Sequence, residues 1–215
     1  MPVKGVIFDM DGVLVDSEKF ILAAAMAFLK EQGLNPQKKD FLPFVGTGED
    51  RFIGGPAEKY GLKLDLKKAK ARTYELYGRL VRGRLKPLPG VRKFIKLCKS
   101  KGLKIAVASS ADEIKVLTNL LEIKLPPETF NTVINGLQVK NKKPSPEIFL
   151  KAAKEMNLSP FDCLVVEDAV SGVTAAKAAG AKCLALTTTF PQKKLKGADW
   201  FAKNLAKAPE EVLNW

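Results

Sequence analysis

The chain has 215 residues, which is enough for one large domain or for a core domain with a smaller insertion. Its hydrophobic content of 46% and charged content of 27% are ordinary for a globular protein. No apolar stretch approaches the roughly 20 residues that span a bilayer. The chain contains no histidine, which excludes Ser-His-Asp and Cys-His catalysis, HExxH metalloprotease sites and zinc-finger ligation. A metal would therefore have oxygen ligands, which favours Mg2+ over zinc.

The net charge is +13, from 36 basic and 23 acidic residues. A basic surface could bind nucleic acid, or it could steer small anionic substrates towards the protein. The sequence has neither a nucleic-acid motif nor an aromatic series beside its lysines, so we favour the second interpretation and expect no nucleic-acid or membrane partner. We expect a monomer with reduced cysteines. Because the N-terminus lacks a signal-peptide pattern, we expect a cytoplasmic location and leave an organellar one open.

The first predicted element is a buried strand, the apolar run at residues 6–8, which ends at Asp9. Alternation along an extended chain turns Asp9 and Asp11 to the same side, and Gly12 lets the chain bend sharply away. Two carboxylates held together in a mostly buried place repel each other and lose hydration. A divalent cation or a proton must compensate, which is typical of an active site.

The next segment is predicted to be helical. Residues 17–30 form an amphipathic pattern, and residues 36–86 are rich in charge and lack a convincing strand. Within them, Gly46-Thr47-Gly48 and Gly54-Gly55-Pro56 are predicted to be loops. We therefore interpret residues 17–87 as an inserted helical domain.

The remaining residues, 1–16 and 88–215, are predicted to form one α/β core domain. Strands alternate with helices there, and the strands are continuous apolar runs, which indicates a parallel, doubly wound sheet covered on both faces. The predicted helices are 91–100, 112–121, 145–156 and 172–179, and the predicted strands are 104–109, 132–134, 163–166 and 183–187.

Polar side chains follow the later strands of the predicted core. Ser109 and Ser110 follow the second strand, Lys143 lies in the stretch after the third, and Glu167 and Asp168 end the fourth. Ligands of such folds bind beyond the carboxyl ends of the strands, so we expect these side chains to meet the two aspartates of the first strand.

Four motifs, in this order, resemble the haloacid dehalogenase superfamily, subfamily I, whose members include phosphatases and phosphomutases. They are FDMDGVLVDS at 8–17, VASSA at 107–111, KKPSPEIF at 142–149 and VVEDAVSGVTAAKAAG at 165–180. The resemblance covers nearly the whole chain. It implies a Rossmann-like α/β core with an inserted α-helical cap, for which residues 17–87 are the candidate.

The resemblance also implies roles for the four carboxylates. Asp9 would be the nucleophile that becomes an aspartyl phosphate. Asp11 would protonate the leaving alkoxide and then activate water, while its backbone carbonyl contacts the metal. Asp168, supported by Glu167 directly or through water, would complete a Mg2+ site with Asp9.

Phosphate binding would fall to three further residues. The Ser109 hydroxyl and the Ser110 amide would bind phosphate oxygens, and the Lys143 ammonium would balance the charge of the phosphoryl group. Lys140 and Lys142 lie close in the sequence, and the family usually has glycine in place of Lys142. We choose Lys143 because it directly precedes the proline, as in the family pattern.

The implied activity is Mg2+-dependent hydrolysis of a phosphoric monoester, with a small phosphorylated metabolite as substrate. A β-phosphoglucomutase-type phosphomutase is the main alternative. Those mutases use a histidine where this chain has Ile21. They place an arginine in the first cap loop where the nearest alignment here gives Gly48, with Arg51 close by. Because both groups shield the phospho-enzyme from water, their absence favours a phosphatase.

The cap loop, residues 44–55, is expected to control substrate choice when the cap closes. Its polar side chains Thr47, Glu49 and Arg51 are the candidates for contact with substrate, although ordinary exposed polarity would explain them equally. A different class also remains open, a non-catalytic binding or scaffold module, or a polyanion binder. The intact set of carboxylates, serine and lysine argues against it.

Overall fold

The computed structural model describes residues 3–44 and 48–215. The chain divides into two compact units, one of Met1–Asp16 with Lys86–Trp215 and the other of Ser17–Leu85. Within the described residues, no helix is both long and apolar enough to cross a membrane.

The larger unit is built on a parallel sheet. Its strands in the described residues are β1 (Gly5–Phe8), β2 (Lys104–Ala108), β3 (Thr132–Ile134), β4 (Cys163–Glu167), β5 (Lys182–Leu186) and β6 (Trp200–Ala202). They lie in the order β3-β2-β1-β4-β5-β6, and each neighbouring pair is parallel. Because Phe8 of β1 is level with Val107 of β2 and Val166 of β4, these strands end at the same edge.

The smaller unit consists of helices joined by turns and loops, with no strand among its described residues. Its helices are α1 (Glu18–Glu31), α2 (Lys38–Phe41), α3 (Glu49–Lys59) and α4 (Leu66–Val81). Helix α1 buries most of the apolar stripe that its periodicity predicts, namely Ile21, Ala24, Ala25, Phe28 and Leu29. Of these, Ala25, Phe28 and Leu29 pack with residues of α2, α3 and α4 into a hydrophobic core.

The predicted loop at Gly54-Gly55-Pro56 is wrong, because these residues lie inside α3. A β-carbon on Gly55 would lie 2.3 Å from Phe44 Cε1, so the glycine allows the helix to pack directly against that ring. Residues 53–57 are buried, and this packing outweighs the low helix propensity of glycine and proline. Of the other predicted loop, Gly46 and Thr47 lie outside the described residues, and Gly48 precedes α3.

Helices cover the sheet of the larger unit, as the sequence predicts. They are α5 (Val91–Ser100), α6 (Glu113–Glu122), α7 (Glu147–Glu155) and α8 (Val170–Ala178). Every residue of β1 and of β4 is buried, which agrees with their continuous apolar runs. The predicted α/β class with a parallel, doubly wound sheet is therefore confirmed. The edge strand β6 is an addition to the predicted set.

Candidate active site

Lys143 joins the ends of three strands at the carboxyl edge of the sheet. Its Nζ lies 2.5 Å from Oδ1 of Asp9 after β1 and 2.6 Å from Oε1 of Glu167 in β4. It also donates to the carbonyl of Ala108, the last residue of β2, at 3.3 Å. The lysine side chain is 7% exposed, so its ammonium is held inside the protein by these oxygens. Neighbouring Lys140 and Lys142 are exposed.

The electrostatics of this cluster depend on burial and on the charges inside it. Burial raises the pKa of Asp9 well above its ordinary value, with Glu167 and Asp168 adding to the effect and Lys143 opposing it. Burial, together with the charge of Glu167, raises the pKa of Asp168 to about 7. Burial alone would lower the pKa of Lys143, but its contacts with Asp9 and Glu167 outweigh burial and raise it. The cluster therefore has more negative charge than one lysine can balance.

Glu167 is fixed through both of its carboxylate oxygens. While Oε1 binds Lys143, Oε2 accepts hydrogen bonds from the backbone N–H groups of Asp168 and Ala169 at 2.8 and 2.9 Å. A β-carbon on Gly172 in α8 would lie only 1.8 Å from Oε1, so this glycine makes room for the carboxylate. Glu167 therefore positions both Lys143 and the loop that carries Asp168.

Asp168 lies directly against the turn that follows β1. Gly12 has φ of +75°, and a β-carbon there would lie 1.8 Å from Asp168 Oδ2. Thr188, after β5, donates to the Gly12 carbonyl at 2.6 Å and lies 3.4 Å from the same Asp168 oxygen. Glycine is required at position 12 both for the left-handed backbone and for the close approach of the two segments.

The acidic residues fit a divalent cation. Asp9, Glu167 and Asp168 each offer a carboxylate oxygen, and these oxygens lie within 4.8 Å of one another. A divalent cation would balance the charge that Lys143 leaves uncompensated, and oxygen donors are the ligands that Mg2+ prefers. Since both oxygens of Glu167 already accept hydrogen bonds, Asp9 and Asp168 are the better candidates for direct ligands. Among the described carboxylates, the Asp11 side chain does not belong to this group. The sequence predicts that Asp11 contacts the metal through its backbone carbonyl instead.

Ser109 and Ser110 lie where β2 ends. Ser109 is 3% exposed, and its hydroxyl oxygen accepts a hydrogen bond from the Ala111 N–H at 3.2 Å. Gly136, after β3, packs on this loop so closely that a β-carbon would lie 2.2 Å from the Ser110 carbonyl oxygen. The loop is thereby held at the same edge of the sheet as Asp9.

The structure pairs Asp11 with a residue that the sequence interpretation did not select. The Nζ of Lys115, in the first turn of α6, lies 2.8 Å from Asp11 Oδ2, and the lysine side chain is 7% exposed. In the sequence, only its position could indicate this role, since Lys115 lies on the buried face of α6 together with Val116, Asn119 and Leu120. Thr188 was also missed, since a threonine after a strand has no distinctive pattern.

The candidate substrate residues of the smaller unit are placed only in part. Arg51 pairs with Glu58 at 3.1 Å and lies 5.3 Å from the centre of the Phe44 ring, and its side chain is 54% exposed. Glu49 is the first residue of α3, and Thr47 lies outside the described residues. A role for these three residues in substrate selection stays a prediction.

Comparison with known proteins identifies relatives of both units. The model of the haloacid dehalogenase-like hydrolase family matches residues 3–180. The chloroplastic protein SUPPRESSOR OF QUENCHING 1 of Arabidopsis thaliana is 43% identical over 202 residues, which is 91% of this chain and 19% of that protein. The chain thus spans about a fifth of that relative. A phosphorylated carbohydrates phosphatase of Thermotoga maritima is 36% identical over 178 residues, 82% of each chain.

Solved structures show the same fold. CbbY from Rhodobacter sphaeroides, in complex with phosphate, superposes with a TM-score of 0.86 at 23% identity, covering 98% of this chain and 99% of that one. At this identity the likeness supports the architecture alone.

Proposed function

Because the chain belongs to the haloacid dehalogenase-like hydrolase family, we propose that it is a phosphatase, which hydrolyses a small phosphorylated metabolite through an aspartyl-phosphate intermediate. The observation that carries the proposal is the buried cluster in which Lys143 binds Asp9 and Glu167 beside Asp168. We assign the Asp9 carboxylate as the nucleophile, because it stands directly after β1, in contact with the Lys143 ammonium and beside Asp168.

In the first step, an Asp9 oxygen forms a bond to phosphorus while the ester P–O bond breaks. Asp11 gives a proton to the departing alkoxide, which leaves as an alcohol. The Ser109 hydroxyl and the Ser110 N–H donate to phosphoryl oxygens, and Lys143 balances the charge that they carry.

In the second step, water attacks the phosphorus of the aspartyl phosphate and the bond to Asp9 breaks. Asp11, now deprotonated, accepts the proton of that water, which returns both aspartates to their starting states. One carboxylate thus serves as acid and then as base, while Lys143 and Glu167 keep the nucleophile in place.

We propose that Asp9 and Asp168, supported by Glu167 and by the Asp11 carbonyl, hold Mg2+. When bound, the ion would reduce the repulsion between these carboxylates and the phosphate dianion. The residues offer oxygen donors that are buried and close together, as such an ion requires.

A phosphatase is favoured over a phosphomutase by the residues of the smaller unit. Ile21, at the position of the mutase histidine, is apolar and buried in α1, and the chain contains no histidine that could replace it.

We propose that the unit of residues 17–85 serves as the cap that selects the substrate, with Thr47, Glu49 and Arg51 as its candidate contacts. We also propose a monomer, located in the cytoplasm or in an organelle.

The substrate class is proposed from chemistry and from the relatives together. The chain's charge of +13 favours an anionic ligand, and one relative that matches over most of its length is named for phosphorylated carbohydrates. We therefore propose a small phosphorylated metabolite and place sugar phosphates first among the compounds to be screened.

The test measures phosphate release from p-nitrophenyl phosphate and from a panel of phosphorylated metabolites, with Mg2+ present. We expect turnover by the wild type and loss of at least about a thousandfold in Asp9→Ala. Mass spectrometry should also find one phosphoryl group on the Asp9 peptide of quenched wild type. Glucose 6-phosphate formation from glucose 1-phosphate is followed separately, since it would indicate a mutase.

A matched control is available at the amino-terminal ends of the strands, away from Asp9. Asp162 is also a buried aspartate paired with a lysine, Lys4 at 3.0 Å, but it precedes β4 rather than following it. Asp162→Asn should keep wild-type turnover, whereas Asp9→Asn should lose it. Equal activity of Asp9→Ala and wild type would overturn the proposed function.

A further inference from the structure

Lys115 is a buried lysine whose ammonium contacts the carboxylate of Asp11. The Nζ–Oδ2 distance is 2.8 Å, and the two side chains are 7% and 23% exposed. The two residues are 104 positions apart in the sequence. The pairing therefore follows from the packing of α6 beside the turn after β1.

A role in helix stability does not explain this lysine. It lies in the first turn of α6, where the helix dipole and the unpaired N–H groups favour negative charge rather than positive. Lysine is also rarely buried, because its ammonium loses hydration, and a buried ion pair is often no more stable than an apolar replacement.

The partner of the lysine gives a better explanation. A proton donor must present its oxygen to the leaving group at hydrogen-bond distance, and a misplacement of about 1 Å can reduce the rate a hundredfold. A carboxyl group that accepts a hydrogen bond at one oxygen from a fixed ammonium loses much of its rotational freedom, so its other oxygen, which carries the exchangeable proton, keeps a defined direction. Lys115 supplies such a fixed cation, since it is buried on a helix of the core.

We propose that Lys115 is a positioning residue, which orients the Asp11 carboxylate for proton exchange with the leaving-group oxygen. This inference rests on the proposed function and adds to it a residue of α6 that acts through Asp11 without contacting the phosphoryl group. Its effect should therefore depend on how much protonation the leaving group requires.

The test compares kcat/KM for two aryl phosphates of similar shape, phenyl phosphate and p-nitrophenyl phosphate. Nitrophenolate leaves readily without a proton, whereas phenolate benefits from one. We expect Lys115→Met to lower kcat/KM about tenfold for phenyl phosphate and less than about threefold for p-nitrophenyl phosphate. Lys115→Arg, which keeps the charge, should recover most of the loss. If Lys115→Met does not fold, the two kcat/KM values are compared in Lys115→Gln instead, with the same expected difference between the esters.

A double-mutant cycle separates positioning from other roles. If Lys115 acts through Asp11, adding Lys115→Met to Asp11→Asn should cause no further loss. Lys104, whose Nζ binds the Met156 carbonyl at 2.6 Å at the start of β2, provides the control. Lys104→Met should affect both substrates equally or not at all.

The outcomes also distinguish this proposal from the proposed function. If wild type shows no Asp9-dependent turnover of either ester, the proposed function fails. If wild type is active but Lys115→Met changes both esters equally, changes neither, or adds its loss to that of Asp11→Asn, the assignment of Lys115 alone is overturned.

Discussion

Lys143 Nζ lies 2.5 Å from Asp9 Oδ1, although the two residues are 134 positions apart in the chain. Glu167 shares the same ammonium at 2.6 Å, and the aromatic ring of Phe149 lies 4.8 Å from it. The lysine thus holds two buried carboxylates together in one place. Its removal would leave both without their cationic partner, and the nucleophile would lose the contact that fixes its position.

We therefore expect Lys143→Met to lower kcat/KM for p-nitrophenyl phosphate by at least about a hundredfold. Exposed Lys142, its neighbour in the sequence, is the matched control, and Lys142→Met should keep activity within about twofold. Steady-state kinetics on both variants, with their thermal midpoints, test this. Similar losses in the two variants would contradict the assignment of Lys143.

Gly172 should tolerate no side chain, because its β-carbon would lie 1.8 Å from Glu167 Oε1. We expect Gly172→Ala to destabilise the protein by about 1–3 kcal/mol through overpacking and to reduce turnover by displacing Glu167. Gly78, inside α4, is the control, because a β-carbon built on it would have no such neighbour within 4 Å. Gly78→Ala should stabilise by about 0.5–1 kcal/mol. Urea unfolding measures both, and a neutral Gly172→Ala would show that Glu167 can move freely.

Mg2+ should stabilise the folded protein by relieving repulsion among the acidic residues, and this can be measured without any substrate. At a concentration about 100 times Kd, we expect the thermal midpoint of wild type to rise by roughly 5–10 °C. Asp168→Asn should show little rise, whereas the Asp162→Asn control should behave like wild type. Chelation with EDTA should abolish turnover until Mg2+ is added back. An unchanged midpoint in wild type would argue against a metal at this edge.

Acid should weaken the smaller unit through Asp40. Hydrogen bonds from Lys59, Tyr60 and the Gln37 N–H hold the pKa of this buried carboxyl well below its usual range. Since its unfolded-state pKa is about 4, the charged form stabilises the protein above that pH, and the contribution disappears as pH falls towards the lower folded-state value.

Asp40→Asn should therefore be less stable than wild type at pH 7, and the difference should shrink steadily below about pH 4. Thermal unfolding across this pH range provides the measurement. Asp65, which accepts a hydrogen bond from the Lys68 N–H at the start of α4 and is half exposed, serves as the control. Asp65→Asn should show a smaller difference. A difference for Asp40→Asn that stays constant with pH would contradict the assignment.

The architecture could largely be predicted because its signals are local. Apolar runs identify the central strands, and the observed bounds of β3 and α5 are those that the pattern predicts. Strand β6 could not be found, since an edge strand of three residues carries too short a pattern for periodicity to detect. The loop prediction at the glycines of α3 is wrong because Gly55 packs against the Phe44 ring, a contact that a local sequence pattern does not reveal.

In the candidate site too, residues with a local signal could be predicted from the sequence, and residues defined by distant contacts could not. Its carboxylates and serines stand at or just after strand ends, and Lys143 lies in the stretch between β3 and α7, where topology alone brings side chains together. Lys115 could not be selected, because its importance depends on a contact with Asp11 that spans 104 positions. A lysine on an otherwise buried helix face is a usable signal, although only when the inward direction of that face is known.

The position of β1 between β2 and β4 also bears on synthesis at the ribosome. The nascent chain exposes its hydrophobic first strand early, but one of the neighbours that must shield it, residues 163–166, emerges more than 150 positions later. At the usual pace of translation this interval lasts on the order of ten seconds. Residues 17–85, which have a hydrophobic core of their own, emerge before either neighbour of β1, so the strand that leads to Asp9 waits unpaired until residues 104–107 and then 163–166 follow.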